Sequence, residues 1–288
     1  MFVISTHLFH SERLSRAHLA RIADAGFERI EVFATRTHFD YHSAEAIAEL
    51  AGWADALGVR IGSVHAPICD GFIGGVWGRA YSIASPHDST RAEAVVETIA
   101  AVSAARALGS DHVVLHLGIP RGQAIPAGDN DLAAMRQSLD PIARACTDAG
   151  VLLALEVIPN DLATPAALGD LLDGDLELGE AGVCLDVGHA HLMGGAPEAI
   201  EALGGHIITT HLHDNRGSED SHLVPFSGSV DWSATMTAFV KTDYRGPLVL
   251  ELPDHGDAEA TLKRAIGARG RLQAILDGLS APFDFDER

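Results

Sequence analysis

Short apolar runs alternate with longer amphipathic stretches along almost the whole chain. The runs that read as strands are Phe2–Thr6, Arg29–Phe33, Ile61–His65, His112–His116, Leu152–Val157, Val183–Val187, Ile207–His211 and Leu248–Leu252. Helical patterns over Ser15–Ala25, Ala44–Leu57, Thr90–Leu108 and Leu132–Ala149 each run into a glycine (Gly26, Gly58, Gly109 and Gly150). Glycine just past a helix takes the left-handed cap conformation without steric cost. Thr164-Pro165 opens the next helix with an N-cap and a first-turn proline. Pro197–Leu203, Ser233–Lys241 and Asp257–Leu279 supply the rest. Eight strands, each followed by a helix, predict an α/β fold: a closed parallel (β/α)8 barrel forming one domain over residues 1–288. An open doubly wound sheet is the rival, and no GxGxxG follows the first strand to support it.

Composition agrees with that plan. The chain has 288 residues, long for a single core but ordinary for such a barrel, and is 47% hydrophobic. Forty acidic against 20 basic residues give a formal net charge of −20. A field of that sign repels nucleic-acid backbone and anionic lipid, so neither a nucleic-acid nor a membrane partner is expected. The cysteines Cys69, Cys146 and Cys184 form no paired spacing. Cys146 and Cys184 read as small core residues, with Cys69 the one near the chemistry. The N-terminal apolar run is too short for a signal peptide and no window is long enough to span a membrane, which predicts a cytoplasmic protein.

The unusual residues fall at strand ends. His65 ends the third strand, His116 the fourth, Glu156 the fifth, Asp186 the sixth, His211 the seventh and Glu251 the eighth. His189 follows Asp186 by one turn, and Asp220 and His222 lie in the loop after His211. Strand side chains alternate faces, so Ser63, Val114, Ala154, Cys184, Thr209 and Val249 share the face of the site residues two places on. These are mostly small or β-branched, as a barrel interior requires. The opposite parity (Leu153, Leu155 and Val157; Leu248, Leu250 and Leu252) is bulky and suits packing under helices. A single His or Glu at a strand end is commonly a hydrogen-bonded structural group. Six consecutive strands ending in ionisable residues would be prohibitive to bury without a counter-charge, and a divalent cation supplies one. The densest stretch, Thr210–Trp232, also carries His213 and Asp214. The loop Ala66–Pro86 is Gly-rich and aromatic; it reads either as a lid whose Phe72 and Trp77 touch substrate or as a packed surface excursion.

The pieces SVHAP, LDVGHAH and HLHDN…DSH…DW resemble the xylose-isomerase-like TIM barrel superfamily. That superfamily groups sugar and sugar-phosphate isomerases and epimerases with the AP endonuclease IV enzymes. The resemblance covers essentially the whole chain. In the epimerase branch one divalent metal, usually manganese or a relative, is held by a set matching Glu156, Asp186, His211 and Glu251. In the endonuclease branch three zinc ions use a larger set, whose further positions match His65, His116, His189, Asp220 and His222. The resemblance implies either a metal-dependent isomerase or epimerase, or a multi-zinc phosphodiesterase acting on a small phosphorylated substrate. As an isomerase, Glu156 and Glu251 would exchange a proton next to the sugar carbonyl, with His189 and Arg216 on substrate oxygens. One to three zinc or manganese ions are implied. Arg36, Arg79, Arg121 and Arg216 fall in loops of the active rim and suit a small phosphorylated or carboxylated ligand. With only Lys241 and Lys263 as lysines, a duplex substrate is disfavoured, and the isomerase reading ranks first. The known epimerases carry a second Glu in the loop after Glu156, where this chain offers Asp161 at nearest. Oligomeric state stays open, a homo-oligomer included.

Overall fold

The computed structural model describes residues 1–174 and 176–280. Eight parallel strands close into a barrel: β1 (Phe2–Ser5), β2 (Arg29–Phe33), β3 (Arg60–His65), β4 (His112–Leu115), β5 (Leu152–Glu156), β6 (Gly182–Asp186), β7 (Ile207–Leu212) and β8 (Leu248–Leu250). Each pairs with its neighbours in sequence, and β1 pairs with β8 to complete the ring. The expected strands are all present; Thr6, His116, Val157, Val187, Glu251 and Leu252 fall just outside them.

The helices follow the predicted order. The long ones are α1 (Arg16–Asp24), α2 (Ala44–Leu57), α3 (Asp88–Leu108), α4 (Leu132–Ala149), α8 (Trp232–Lys241) and α9 (Ala258–Ser280). Glycines 58, 109 and 150 end α2, α3 and α4 in the left-handed region, at φ of 65°, 67° and 69°. Thr164 caps α5 (Pro165–Leu172) by accepting from the Ala167 amide. A six-residue helix, α6 (Val187–Leu192), precedes α7 (Ala196–Leu203) and was not expected from the pattern. Its signal is local: the Asp186 side chain accepts the His189 amide as an N-cap.

The two side-chain parities separate as predicted. Val114, Ala154 and Cys184 form a small cluster of their own inside the barrel. Leu153, Leu155, Val157, Leu248, Leu250 and Leu252 belong to the large core between strands and helices. The excursion after β3 carries a two-stranded hairpin, Phe72–Ile73 against Val76–Trp77, turned by Gly74 and Gly75 at positive φ.

Candidate active site and metal centre

His65, Glu156 and Asp186 close β3, β5 and β6; His116 and Glu251 stand one residue past β4 and β8; His211 is the penultimate residue of β7. Parallel pairing is staggered around the barrel, so Glu156 lies level with Cys184 while Asp186 lies level with His211. That stagger brings residues from six strands to one mouth.

Three groups of potential ligands result. Around His211 Nδ1 stand Glu156 Oε1 at 3.2 Å, Glu251 Oε2 at 3.4 Å and Asp186 Oδ2 at 3.8 Å. His65 Nε2 and His116 Nε2 both approach Glu156 Oε2, at 3.1 and 3.0 Å. His189 Nε2 and His222 Nε2 both approach Asp220 Oδ2, at 3.0 and 3.1 Å. All nine residues expected as ligands therefore converge, and Glu156 is common to two of the groups.

Ring orientation supports a cation more directly than proximity does. His65 Nδ1 lies 2.8 Å from the Ala66 carbonyl, His189 Nδ1 3.0 Å from the Val157 carbonyl, and His222 Nδ1 3.3 Å from the Glu251 carbonyl. His211 is held from the other side, its Nε2 donating to Glu31 Oε2 at 3.2 Å. In each ring one N–H is anchored outside the cluster, which fixes the tautomer and aims the second nitrogen at the carboxylates. Metal-binding histidines are arranged this way. The donor set fits a divalent cation.

Without a cation, protons balance the carboxylates. Burial pushes the His65 imidazole down, but Glu156 and Glu251 outweigh it and raise the ring to about 8. Burial likewise opposes charge on His222, and Asp220 raises it to about 9. His189 and His211 are buried too, yet their carboxylate neighbours hold them well above the usual imidazole range. Burial alone would push Glu156 up; His116 and His211 instead hold it well below the ordinary carboxylate range. Asp186 is depressed in the same way by His189 and His213, and Asp220 by His222 and His189.

Several residues at the site lie outside the nine expected ligands. Glu31, from the middle of β2, is fully buried, accepts from Ser63 Oγ at 2.9 Å and anchors His211. Its signal was a lone acid inside the apolar run RIEVF. His7, just after β1, stacks on Phe33 and sets Nδ1 3.9 Å from Glu251 Oε1. His213 donates from Nε2 to Asp186 Oδ2 at 3.0 Å and stacks on His222. A Cβ at Gly188 would run into the His213 ring, so glycine there lets α6 approach β7 closely. Asp214 lies outside the ligand groups: its carboxylate accepts from the amides of Asn215, Phe226 and Val230 and from Trp232 Nε1. It holds together the loop that presents Asp220 and His222.

Four expectations need correction. Cys184 is buried among small interior residues as expected, and it rather than Cys69 lies beside the chemistry, in one potential ligand group with Glu156 and His211; Cys69 bonds to the Gly71 carbonyl in the excursion. Phe72 does not line the cavity; it packs behind Trp77 and against His10, and Trp77 alone of the pair reaches the cavity wall. Arg216 is exposed and lines neither rim cavity, because Asn215 pins the turn by accepting the Gly217 amide and donating to the Gly188 carbonyl. The other rim arginines are engaged elsewhere: Arg79 with Glu93, Arg36 near Asp40, and Arg121 with the Pro159 carbonyl.

Above the cluster lies a cavity of about 330 Å³, lined by His7, His10, Phe33, Trp77, Pro120, Gln123 and the site residues. Among the described residues, no arginine or lysine lines it. No helix of the described residues is long and apolar enough to cross a membrane.

Comparison with known proteins places the chain. An uncharacterized protein of Sinorhizobium fredii is 34% identical over 177 residues, covering 59% of this chain; the chain spans 56% of that relative's length. The structure of a D-tagatose 3-epimerase-like protein superposes with a TM-score of 0.78 at 25% identity, covering 97% of this chain and 99% of the other. D-psicose 3-epimerase from Clostridium cellulolyticum H10 shares the fold, with a TM-score of 0.74 at 18% identity over 96% of this chain and 99% of its own. The sequence profile described as "Xylose isomerase-like TIM barrel" matches residues 19–271. The chain belongs to the xylose isomerase-like TIM barrel family.

Proposed function

We propose that the protein is a divalent-metal-dependent sugar isomerase or epimerase that moves a proton next to a carbonyl. The observation that carries this reading is the placement of two carboxylates, Glu156 and Glu251, about one buried nitrogen, His211 Nδ1, at 3.2 and 3.4 Å. Glu156, Asp186, His211 and Glu251 would hold the cation. When bound, it would supply Lewis-acid polarisation of the substrate carbonyl and would bind the neighbouring hydroxyl oxygen.

The chain's own groups supply the rest. Glu156 is held ionised by its histidine neighbours and can accept the proton beside the carbonyl. Glu251 lines the same cavity and can return a proton, which inverts the carbon or moves the carbonyl. His189 and His222 border the same cavity and can hold substrate oxygens. Trp77, Phe33 and His7 form an apolar and aromatic side that excludes water from the reacting carbon. Similarity to the D-tagatose 3-epimerase-like protein favours a small ketose. A sugar phosphate has less support, because the cavity presents no guanidinium or ammonium among the described residues.

One observation favours a second reading, a multi-zinc phosphodiesterase. The three ligand groups could hold up to three ions, and the four-residue site makes no use of His65, His116, Asp220 or His222. The test is solvent exchange: protein loaded with manganese or zinc is incubated with ketohexoses in deuterated water, and label at the carbon next to the carbonyl is followed. Exchange supports the isomerase. Two or three zinc ions per chain, hydrolysis of a small phosphodiester and no exchange would reverse the ranking.

A further inference from the structure

The catalytic cavity continues sideways into a larger groove. This groove, about 720 Å³, lies beneath the loops that follow β4 to β7 and shares Pro120, Gln123 and Asp220 with the catalytic cavity. The catalytic cavity, about 330 Å³, is at the small end of the range for ligand sites, about 300–1,000 Å³. A single hexose over the carboxylates would leave the groove empty.

The lining decides what kind of group could fill it. Part of it is apolar, with Pro159, Pro165, Leu192 and Met193. The polar part carries Gln123, Ser218 and Glu219, whose side chains make no hydrogen bond among the described residues. Among the described residues the one cation lining it is Arg121, whose Nε donates to the Pro159 carbonyl at 3.0 Å and whose guanidinium lies 3.9 Å from Asp161. With Glu219 and Asp220 facing it, the groove offers no surplus positive charge for a phosphate. The apolar part is also braced in advance. Asn160 Nδ2 donates to the Leu117 carbonyl at 2.9 Å, and Asn160 Oδ1 accepts the Leu162 and Ala163 amides.

We propose that the groove is a second subsite and that the substrate is a ketose carrying a second, neutral sugar ring. The inference rests on the isomerase reading for placing the carbonyl end over Glu156 and Glu251. A pyranose ring matches both kinds of lining: its C–H face buries against proline, leucine and methionine, and its hydroxyl edge bonds to Gln123, Ser218 and Glu219. An apolar substituent would leave the polar lining unused, and an anionic one would meet two carboxylates.

The test measures binding and exchange separately on manganese-loaded protein. Titration calorimetry compares fructose with turanose, lactulose and isomaltulose, which carry the second ring at different positions. At least one disaccharide is expected to bind about tenfold or more tighter than fructose. Ser218→Trp and Met193→Trp, one from the polar and one from the apolar lining, should each remove that advantage and leave fructose binding unchanged. The proposal is overturned if no disaccharide binds tighter than fructose, or if both variants retain the advantage. Exchange of the α-proton in deuterated water is read in parallel. Tighter disaccharide binding without exchange on any sugar would sink the isomerase reading and keep the subsite. Exchange on fructose without a disaccharide advantage would do the reverse.

Discussion

Asp214 tests whether the β7 loop is held by its own hydrogen bonds or by the site it serves. The fully buried carboxylate accepts four hydrogen bonds, from the Asn215, Phe226 and Val230 amides at 2.9, 2.9 and 3.0 Å and from Trp232 Nε1 at 3.0 Å. A Cβ at Gly228 would strike this carboxylate and the Asn215 carbonyl, so the loop is wrapped tightly about it. Hydrogen bonds to a charged group contribute about 1.5–3 kcal/mol each, and a buried donor left without a partner costs a comparable amount. Asp214→Asn keeps one oxygen and sets an NH2 group against donors. Allowing for non-additivity, it should cost about 2–4 kcal/mol, a large part of a total stability of about 5–15 kcal/mol. Asp214→Ala should cost more. Urea denaturation followed by circular dichroism reads the loss as a lower midpoint at similar slope. Metal content should fall with it, because Asp220 and His222 lose their mount. A midpoint for Asp214→Asn coinciding with that of the wild type would refute the reasoning.

Removing metal should lower the melting temperature, with recovery on adding zinc or manganese; an unchanged curve in a sample verified metal-free would count against a resident cation. Glu156→Gln and Glu251→Gln should each slow α-proton exchange by about 10²–10⁴-fold, and a variant that still exchanges at the wild-type rate would remove that residue from the reaction. His116→Ala should leave one metal per chain and spare isomerisation if the four-residue site acts alone; elemental analysis showing zinc lost from a cluster, with hydrolysis abolished, would favour the second reading. In metal-free protein, His65 is raised to about 8 and His222 to about 9, so their stabilising contribution is full below the unfolded imidazole pKa and fades as pH rises through those values. Glu156, Asp186 and Asp220 are depressed, so their contribution is full above the unfolded carboxylate range and is lost as pH falls through their folded values. Metal-free stability should therefore peak between about pH 5 and 7, and a midpoint still rising between pH 7 and 9 would contradict the assigned partners.

The barrel was legible because its two rules are local. A strand's period-two alternation fixes which residues face inward, and the mouth follows from which inward residue comes last. His65, Glu156, Asp186 and His211 are all strand residues governed by those rules, and they converge as expected. Arg216 and Phe72 sit in loops, where the path of the backbone decides what a side chain reaches. Asn215 turns Arg216 outward, and a two-glycine hairpin turn puts Trp77 in front of Phe72. No periodicity carries that information. Asp214 was misleading for a related reason. Its neighbours in sequence are potential ligands, but its own carboxylate is consumed by four donors up to eighteen residues away.

Glu31 is a different kind of omission, because the signal was present. It is the one acid in RIEVF, on the inward parity, and its position below the rim hid it from a search confined to strand ends. A buried carboxylate without a partner is too costly to keep, so an acid at an inward position of a buried strand implies a partner inside the barrel. Here the partners are His211 Nε2 and Ser63 Oγ. The bond to His211 explains why its Nδ1, rather than Nε2, meets Glu156, Asp186 and Glu251. The orientation of the central imidazole is thus set by a residue that no ligand pattern contains, and it could be read only by asking every inward polar residue what it bonds to.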